Sequence, residues 1–396
     1  MLDKTGTRQL CYVATIDWVK PIEGADAIEL VGIGGWTCIA KIGEFKAGDK
    51  CVYFEIDSKV PETDWSEFLA AKHYKIKTMK LGKFGVVSQG LALPFSAFGW
   101  EQDKHEVGDF LTKELGVKYS VEEDNARKAA KNPDAKINRI LARHPKFAKK
   151  YGKIVKKNKF LRWFFTLIWG KKNDNRSWIA GVPKTDEERI ENRINTLDDQ
   201  TVEWIATEKI DGTSTTFYLS RGRGFKKPEY LVCSRNVVFD TPEKNGKNYY
   251  QDSIGNVYLE MSDKYNIREA LEKLLNQRPT AEWVAIQAET FGQGVQKRDY
   301  GMKDHEVRAF NLLYSDCGRV GTLEMRDALE PLGIPVVPII SEGMTLPATI
   351  DELREFVHSE KSAIDGGMKE GIVFRTKDGK DSFKCVDPQF LLKYHQ

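Results

Sequence analysis

Near the middle of this 396-residue chain, a lysine stands at the end of an apolar run, in Glu208-Lys209-Ile210-Asp211-Gly212. An amine attacks phosphorus only after losing its proton, and nearby cations or a metal lower its pKa toward that state. Alone, the stretch reads equally as a solvated lysine at a strand end. Four further patches follow it in order. Ser234-Arg235-Asn236 comes after a strand-like run, and Ile286-Gln287-Ala288-Glu289-Thr290-Phe291-Gly292 ends another in a carboxylate and a glycine turn. Glu306-Val307-Arg308-Ala309-Phe310 carries an aromatic, and Glu370-Gly371-Ile372-Val373 precedes Ser382-Phe383-Lys384. A candidate nucleophile (Lys209), three carboxylates (Asp211, Glu289, Glu370), a flat ring (Phe310) and a second lysine (Lys384) are the parts of a nucleotidyl-transfer site. The carboxylates suit a hard cation and a ribose. The second lysine suits an α-phosphate and depresses the pKa of Lys209.

These residues need strands to hold them. Residues 202–206 and 213–218 read as strands on either side of the lysine, and 284–289, 306–313 and 371–375 as three more. Helices are expected over 268–275 and 351–361, and a further one opens at Thr185-Asp186-Glu187-Glu188 and runs to about 195. This half is α+β with a largely antiparallel sheet. The first 118 residues read as all-β, with short strands over 10–16, 28–33, 36–40, 51–56 and 84–93 between glycine and proline turns. Such spacing predicts a small closed barrel, with the oligonucleotide-binding (OB) fold foremost.

Residues 119–182 break the pattern. Ile137, Ile140, Leu141, His144, Phe147, Tyr151, Ile154 and Val155 recur at helical spacing. From 127 to 176 seventeen Lys and Arg face two Asp, a balance of +15, so the rest of this +3 chain carries −12. The lysines suit a nucleic-acid backbone, or else form a solvated face. Residues 160–169 are very apolar but too short to span a bilayer; packing on one of the two domains is expected, with membrane association the other reading. A 41% apolar and 30% charged composition excludes a membrane-embedded or disordered chain. Six cysteines without CxxC spacing, and a polar N-terminus, predict free thiols in a reducing, intracellular and most simply cytoplasmic setting.

The five patches, in this order and approximate spacing, resemble the motifs of the covalent nucleotidyltransferase superfamily of ATP-dependent ligases and capping enzymes. Within it the chain looks most like RNA ligase family 5, in which an OB domain precedes the catalytic domain. Pro21-Ile22-Glu23-Gly24-Ala25-Asp26, Gly43-Glu44-Phe45-Lys46-Ala47-Gly48-Asp49, Val52-Tyr53-Phe54-Glu55-Ile56-Asp57 and Ser88-Gln89-Gly90-Leu91 carry that resemblance in the first half. It implies an OB-fold domain over 1–118, a basic helical insertion over 119–182 with no counterpart, and an ATP-grasp-like nucleotidyltransferase domain over 183–396.

The resemblance also implies an ATP-dependent RNA ligase with Lys209 as the nucleophile that carries AMP. Glu208, Asp211, Gly212, Arg235, Glu289, Phe310, Glu370 and Lys384 would bind the nucleotide, with Lys184 and Arg189 toward its outer phosphates. Asp211 and Glu370 would hold Mg²⁺ or Mn²⁺. The implied partners are RNA ends, or a nicked duplex with an RNA 3′-OH strand; the implied protein is a monomer without stable membrane insertion. A capping-type guanylyltransferase using GTP and a non-catalytic OB-fold nucleic-acid-binding protein are the alternatives. Many relatives carry a second lysine two positions after the one at 384, where this chain has Val386.

Overall fold

The computed structural model describes residues 1–3, 7–120, 137, 141, 145–169, 178–179, 181–222, 228–235, 238–239, 243–244, 247–248 and 256–395; Asn236, Ile140 and His144 lie outside them. Strands β1 Cys11–Thr15, β2 Trp18–Pro21, β3 Ile28–Ile33, β4 Trp36–Lys41, β5 Lys50–Phe54 and β6 Leu91–Leu93 form two small antiparallel sheets, β2-β3-β4 and β1-β5-β6. Tyr12, Val31, Trp36, Cys38 and Tyr53 make a shared core, which Val386 and Leu391 of the C-terminal half complete. The single strand expected over 84–93 is instead broken into Val86–Ser88 and Leu91–Leu93. Gly90 breaks it: its φ is +96°, and a Cβ there would lie 2.5 Å from the Tyr53 hydroxyl and 2.7 Å from the Phe54 carbonyl.

The described residues of the basic segment include two helices, α1 Pro145–Lys157 and α2 Lys159–Trp169. Asn158 divides them, accepting hydrogen bonds from the Phe160 and Leu161 N–H groups at 2.9 and 3.2 Å as an N-cap does. Phe165 folds back onto Phe147 with ring centroids 5.0 Å apart, over Ile137, Leu141 and Val155. The expected docking of 160–169 on either half is not observed: Phe160, Trp163, Leu167 and Ile168 are 65%, 59%, 67% and 55% exposed. Phe165 turns inward onto α1, whereas Phe160, Trp163, Leu167 and Ile168 stay on the surface.

Two large antiparallel sheets build the C-terminal half, beside a small two-stranded one pairing Glu243–Lys244 with Lys247–Asn248. One runs β12 (Ile339–Met344), β7 (Trp204–Lys209), β13 (Gly371–Thr376), β14 (Ser382–Val386). The other runs Val238–Phe239, β9 (Glu229–Ser234), β8 (Thr213–Ser220), β10 (Trp283–Gly292), β11 (His305–Tyr314), Gly318–Arg319. Helices α3 Val257–Lys264, α4 Ile267–Gln277 and α5 Thr322–Leu329 cover one face of the six-stranded sheet. Helix α4 presents Ile267, Ala270, Leu271, Leu274 and Leu275, an i, i+3, i+4, i+7, i+8 stripe, to that face. Helix α6 Ile350–Ser359, opened by a Thr349–Glu352 capping box, covers the four-stranded sheet. A last helix, α7 Pro388–Tyr394, is capped by Asp387. Ile210-Asp211-Gly212 carries the chain from one sheet to the other, and the cleft lies between them.

The helix expected over 185–195 is not formed. Residues 183–188 are irregular or extended, and only short 3₁₀ turns follow, Ile190–Asn192 and Ile194–Asp198. The acidic side chains that looked like a first helical turn are used in tertiary pairs: Glu187 bonds Arg319 at 3.0 Å and Arg375 at 2.9 Å, and Asp186 bonds Arg235.

The two halves meet at Asn192. Its Oδ1 accepts from the Tyr12 hydroxyl at 3.0 Å and Trp36 Nε1 at 2.7 Å, and its Nδ2 donates to Glu55 and Glu188 at 2.8 Å. Asn192→Ala strands these buried groups, at about 1–3 kcal/mol for a group left unpaired. A lowered midpoint in thermal unfolding, with the far-ultraviolet circular dichroism spectrum unchanged at low temperature, is the expected outcome. An unshifted midpoint would show that this network contributes nothing.

Candidate active site

Strand alternation sorts the side chains. In β7, Trp204 and Ala206 enter the core under α6, so Thr207 and Lys209 face the cleft. In β14, Phe383 and Cys385 enter that core while Lys384 faces the cleft with Lys209. In β10, Val284, Ile286 and Ala288 enter the core under α4, and Glu289 faces the cleft from the opposite sheet. Glu289 thus lies inside a strand that continues to Gly292, rather than at its end. Phe310 has a different origin. The register of β10 against β11 passes from Gln287↔Asn311 to Ala288↔Ala309, leaving Phe310 as the extra residue of a β-bulge. A bulge re-aims a side chain, and Phe310 reaches the cleft beside Val337.

The resulting cavity is about 900 Å³. All eleven residues singled out from the sequence border it: Lys184, Arg189, Glu208, Lys209, Asp211, Gly212, Arg235, Glu289, Phe310, Glu370 and Lys384. Glu208 borders it only at the strand end. Its carboxylate is on the other face, accepting from the Ser362 hydroxyl at 2.5 Å and the Ala363 N–H at 2.8 Å. Gly212 is required sterically: a Cβ there would sit 2.4 Å from the Thr290 carbonyl and 3.0 Å from Glu289 Cγ.

Lys209 Nζ donates to Glu370 Oε2 at 2.7 Å. Burial pushes the Lys209 pKa down, but Glu370, Glu289 and Asp211 outweigh it and hold the amine above the usual lysine range. The depressed pKa expected from the sequence is therefore not produced by the protein groups around Lys209, where three carboxylates face the amine. Burial, opposed by Lys209 and reinforced by Glu370 and Asp211, brings the Glu289 carboxyl up to about 8. Lys384 lies 4.0 Å from Asp186. Burial, opposed by Asp186 and reinforced by Arg8, Arg189 and Lys209, brings Lys384 down to about 8.

Arg189 is buried, its Nε and Nη1 without hydrogen-bond partners among the described residues, and its guanidinium lies over the Trp36 ring at 5.6 Å. Unpaired buried donors of this kind suit an anion. Lys184 is exposed at the rim.

The fit to a divalent cation is testable on the same geometry. Asp211 places one carboxylate oxygen 3.3 Å from His395 Nε2, while Oδ2 is buried without a partner among the described residues. No three His, Cys, Asp or Glu side chains among the described residues converge as a ready metal nest. One or two carboxylates completed by water and phosphate oxygens is the usual arrangement for Mg²⁺, and Asp211 with Glu370 fits it.

Several lining residues had no sequence signal. Arg8, Asp57 and Tyr119 come from the N-terminal half, and Arg235 stacks over the Tyr119 ring at 5.6 Å while pairing with Asp186. Their partners are distant in sequence, so no local motif reveals them. Asp186 and Glu187 resemble the acidic first turn of a helix in the sequence, but Arg235, Arg319 and Arg375 pair with them instead.

Two family models match this chain. Residues 10–95 match an OB-fold domain, and residues 202–395 match the RNA ligase family. The C-terminal half of the chain, residues 202–395, belongs to the RNA ligase family. Among solved structures, this RNA ligase is similar to a Naegleria gruberi RNA ligase variant with ATP and Mn: 25% identity, TM-score 0.72, covering 98% of this chain and 99% of that one. The Naegleria enzyme with PPi, and a variant of it with AMP and Mn, match with the same identity, score and coverage. No curated protein matches this RNA ligase at a significant level.

The Lys384 amine, half-charged near pH 8, couples nucleotide binding to protons. A polyphosphate beside it favours the charged form, so binding near pH 8 is expected to take up part of a proton, and metal-free ATP affinity to fall from pH 7 to 9. Calorimetry in two buffers of different ionisation enthalpy measures the uptake. Lys384→Arg, charged throughout, should lack it. Equal uptake by both proteins would assign the titration to another group.

Proposed function

We infer that the chain seals RNA 3′-OH and 5′-phosphate ends with ATP, and that Lys209 is the residue that carries AMP. The observation that supports this most directly is the Lys209–Glu370 pair, 2.7 Å apart, set beside Lys384 and the unpaired donors of Arg189 in one cleft.

Lys209 Nζ, having shed a proton, forms a bond to the α-phosphorus as the bond to the β-phosphate oxygen breaks and pyrophosphate leaves. Glu370, already hydrogen-bonded to the amine, aims it, and the proton leaves to solvent. Lys384 faces the α-phosphate and offsets its developing charge, and Arg189 with Lys184 takes the outer phosphates. Phe310 stacks on adenine, and Arg235 and Glu289 hold the ribose. AMP then passes from Lys209 to a 5′-phosphate, and a 3′-OH displaces it to join the strand. Positioning and charge neutralisation supply most of the rate in such transfers.

A divalent ion held by Asp211 and Glu370 would neutralise phosphate charge and relieve the carboxylate field that keeps Lys209 protonated. The substrates are RNA ends, or a nicked duplex presenting an RNA 3′-OH. The domain limits proposed are 1–118, 119–182 and 183–396. All six cysteines are free, in keeping with a reducing intracellular setting.

Incubation with ATP or GTP labelled at the α-phosphorus tests the reading. Covalent label from ATP alone, chased to a 5′-phosphorylated RNA and released as AMP on sealing, is the expected result. Label from GTP alone would assign a capping-type guanylyltransferase, and no label would leave a binding protein.

A further inference from the structure

The helical hairpin α1–α2 takes no part in the cleft, and its surface has an unusual composition. Phe160, Trp163, Phe164, Leu167 and Ile168 fall at i, i+3, i+4, i+7 and i+8 of α2, and all five are exposed. Their rings form a continuous patch, Phe160 lying 5.8 Å from Trp163 and 6.3 Å from Phe164. The opposite side of α2 is already used, Phe165 packing on Phe147. On α1, Tyr151 and Ile154 are also exposed, at 40% and 57%, and Lys149, Lys150, Lys153, Lys156 and Lys157 form an exposed basic face beside them.

We propose that this hairpin seats the protein on an anionic lipid surface, with the α2 row in the acyl–headgroup boundary and the lysines against the headgroups. An exposed aromatic and aliphatic row flanked by a lysine face is the pattern of helices that lie in the interface plane. Neither helix spans: none of the described helices is long and apolar enough to cross a membrane.

Charge selects this occupant over the others. The segment 127–176 carries +15 and the remainder of the chain −12, so an anionic bilayer attracts the hairpin and repels the body, fixing one orientation. A second copy would bring the same positive segment onto itself. RNA phosphates would satisfy the lysines, but Leu167 and Ile168 offer bases no stacking surface and would stay in water.

Flotation of the full-length protein with vesicles, one set of phosphatidylcholine alone and one with a third phosphatidylglycerol, tests this. Binding to the anionic vesicles is expected at least tenfold tighter than to the neutral ones. Leu167→Glu with Ile168→Glu places charge on positions that are already exposed, which preserves the fold. It should lower vesicle binding tenfold or more while leaving covalent labelling by ATP and single-stranded RNA binding unchanged. Charge reversal of the five lysines should lower vesicle binding as well.

Four outcomes would overturn the proposal. The wild-type protein could fail to float, or the Leu167/Ile168 variant could float as well as wild type. That variant could instead lose RNA binding, making the hairpin an RNA platform. Sedimentation could show a wild-type dimer that the variant abolishes, making it a self-association face. Because the readout is lipid binding, failure of the ligase assignment would leave this test unaffected.

Discussion

Lys209→Ala is expected to form no covalent nucleotide adduct, a loss of at least about 10³-fold, as when an enzyme loses its nucleophile. The side chain is a quarter exposed and makes one ion pair, with Glu370, so its removal leaves the strand β7 core untouched. The protein should therefore fold and still bind ATP. Lys209→Arg sharpens the test. It preserves the positive charge beside Glu370, Glu289 and Asp211, yet a guanidinium does not deprotonate at any working pH. If the residue only balances the carboxylates, arginine rescues labelling; if it is the nucleophile, arginine fails as alanine does. Mobility on a denaturing gel with α-labelled ATP reads both. A labelled band in either variant assigns the adduct to another lysine.

Lys384→Ala is expected to slow adduct formation by about 10²–10³-fold, the range for removing one group aimed at developing charge. Asp186 keeps its bond to Arg235 when Lys384 is lost, so no carboxylate is left unpaired. Removing a buried cation whose pKa is already lowered by burial should not destabilise the fold. The decrease should appear in the single-turnover rate at saturating ATP, more than in ATP affinity, because the charge it meets develops in the transition state. A variant with an unchanged single-turnover rate would move the α-phosphate contact elsewhere, with Lys393 of α7 the next lysine along the chain.

How far the sequence revealed this site depended on whether local periodicity held the information. Lys209, Glu370 and Lys384 sit on or beside strands whose alternation is plain, and the alternation alone places them on one face. Phe310 was found by type, but the bulge that aims it is a pairing irregularity between β10 and β11 that no single strand displays. The 185–195 stretch failed because Thr185-Asp186-Glu187 mimics a helix start. The acids are instead claimed by Arg235, Arg319 and Arg375, 49 to 188 residues away. The depressed Lys209 pKa failed for a related reason. Its sign depends on how many carboxylates converge, and that is set by two sheets meeting. Arg8 and Tyr119 reach the cleft only through the docking of the N-terminal half, which Asn192 secures.

The crossover at Ile210-Asp211-Gly212 divides labour. Lys209 and Lys384 belong to one sheet, with Lys209 opposite Gly371 and Val373 opposite Lys384 in register, and Glu370 immediately precedes β13. Glu289, Phe310 and Arg235 belong to the other. The geometry between Lys209 and Lys384 is thus fixed within a single sheet, whereas Glu289 and Phe310, the residues proposed to seat the nucleoside, are hung from a neighbouring sheet by three residues. On the proposed roles, base preference and bond-making chemistry are separable modules: recutting β10 and β11 should retune which nucleobase is accepted, with the strands that bear Lys209 and Lys384 left as they are.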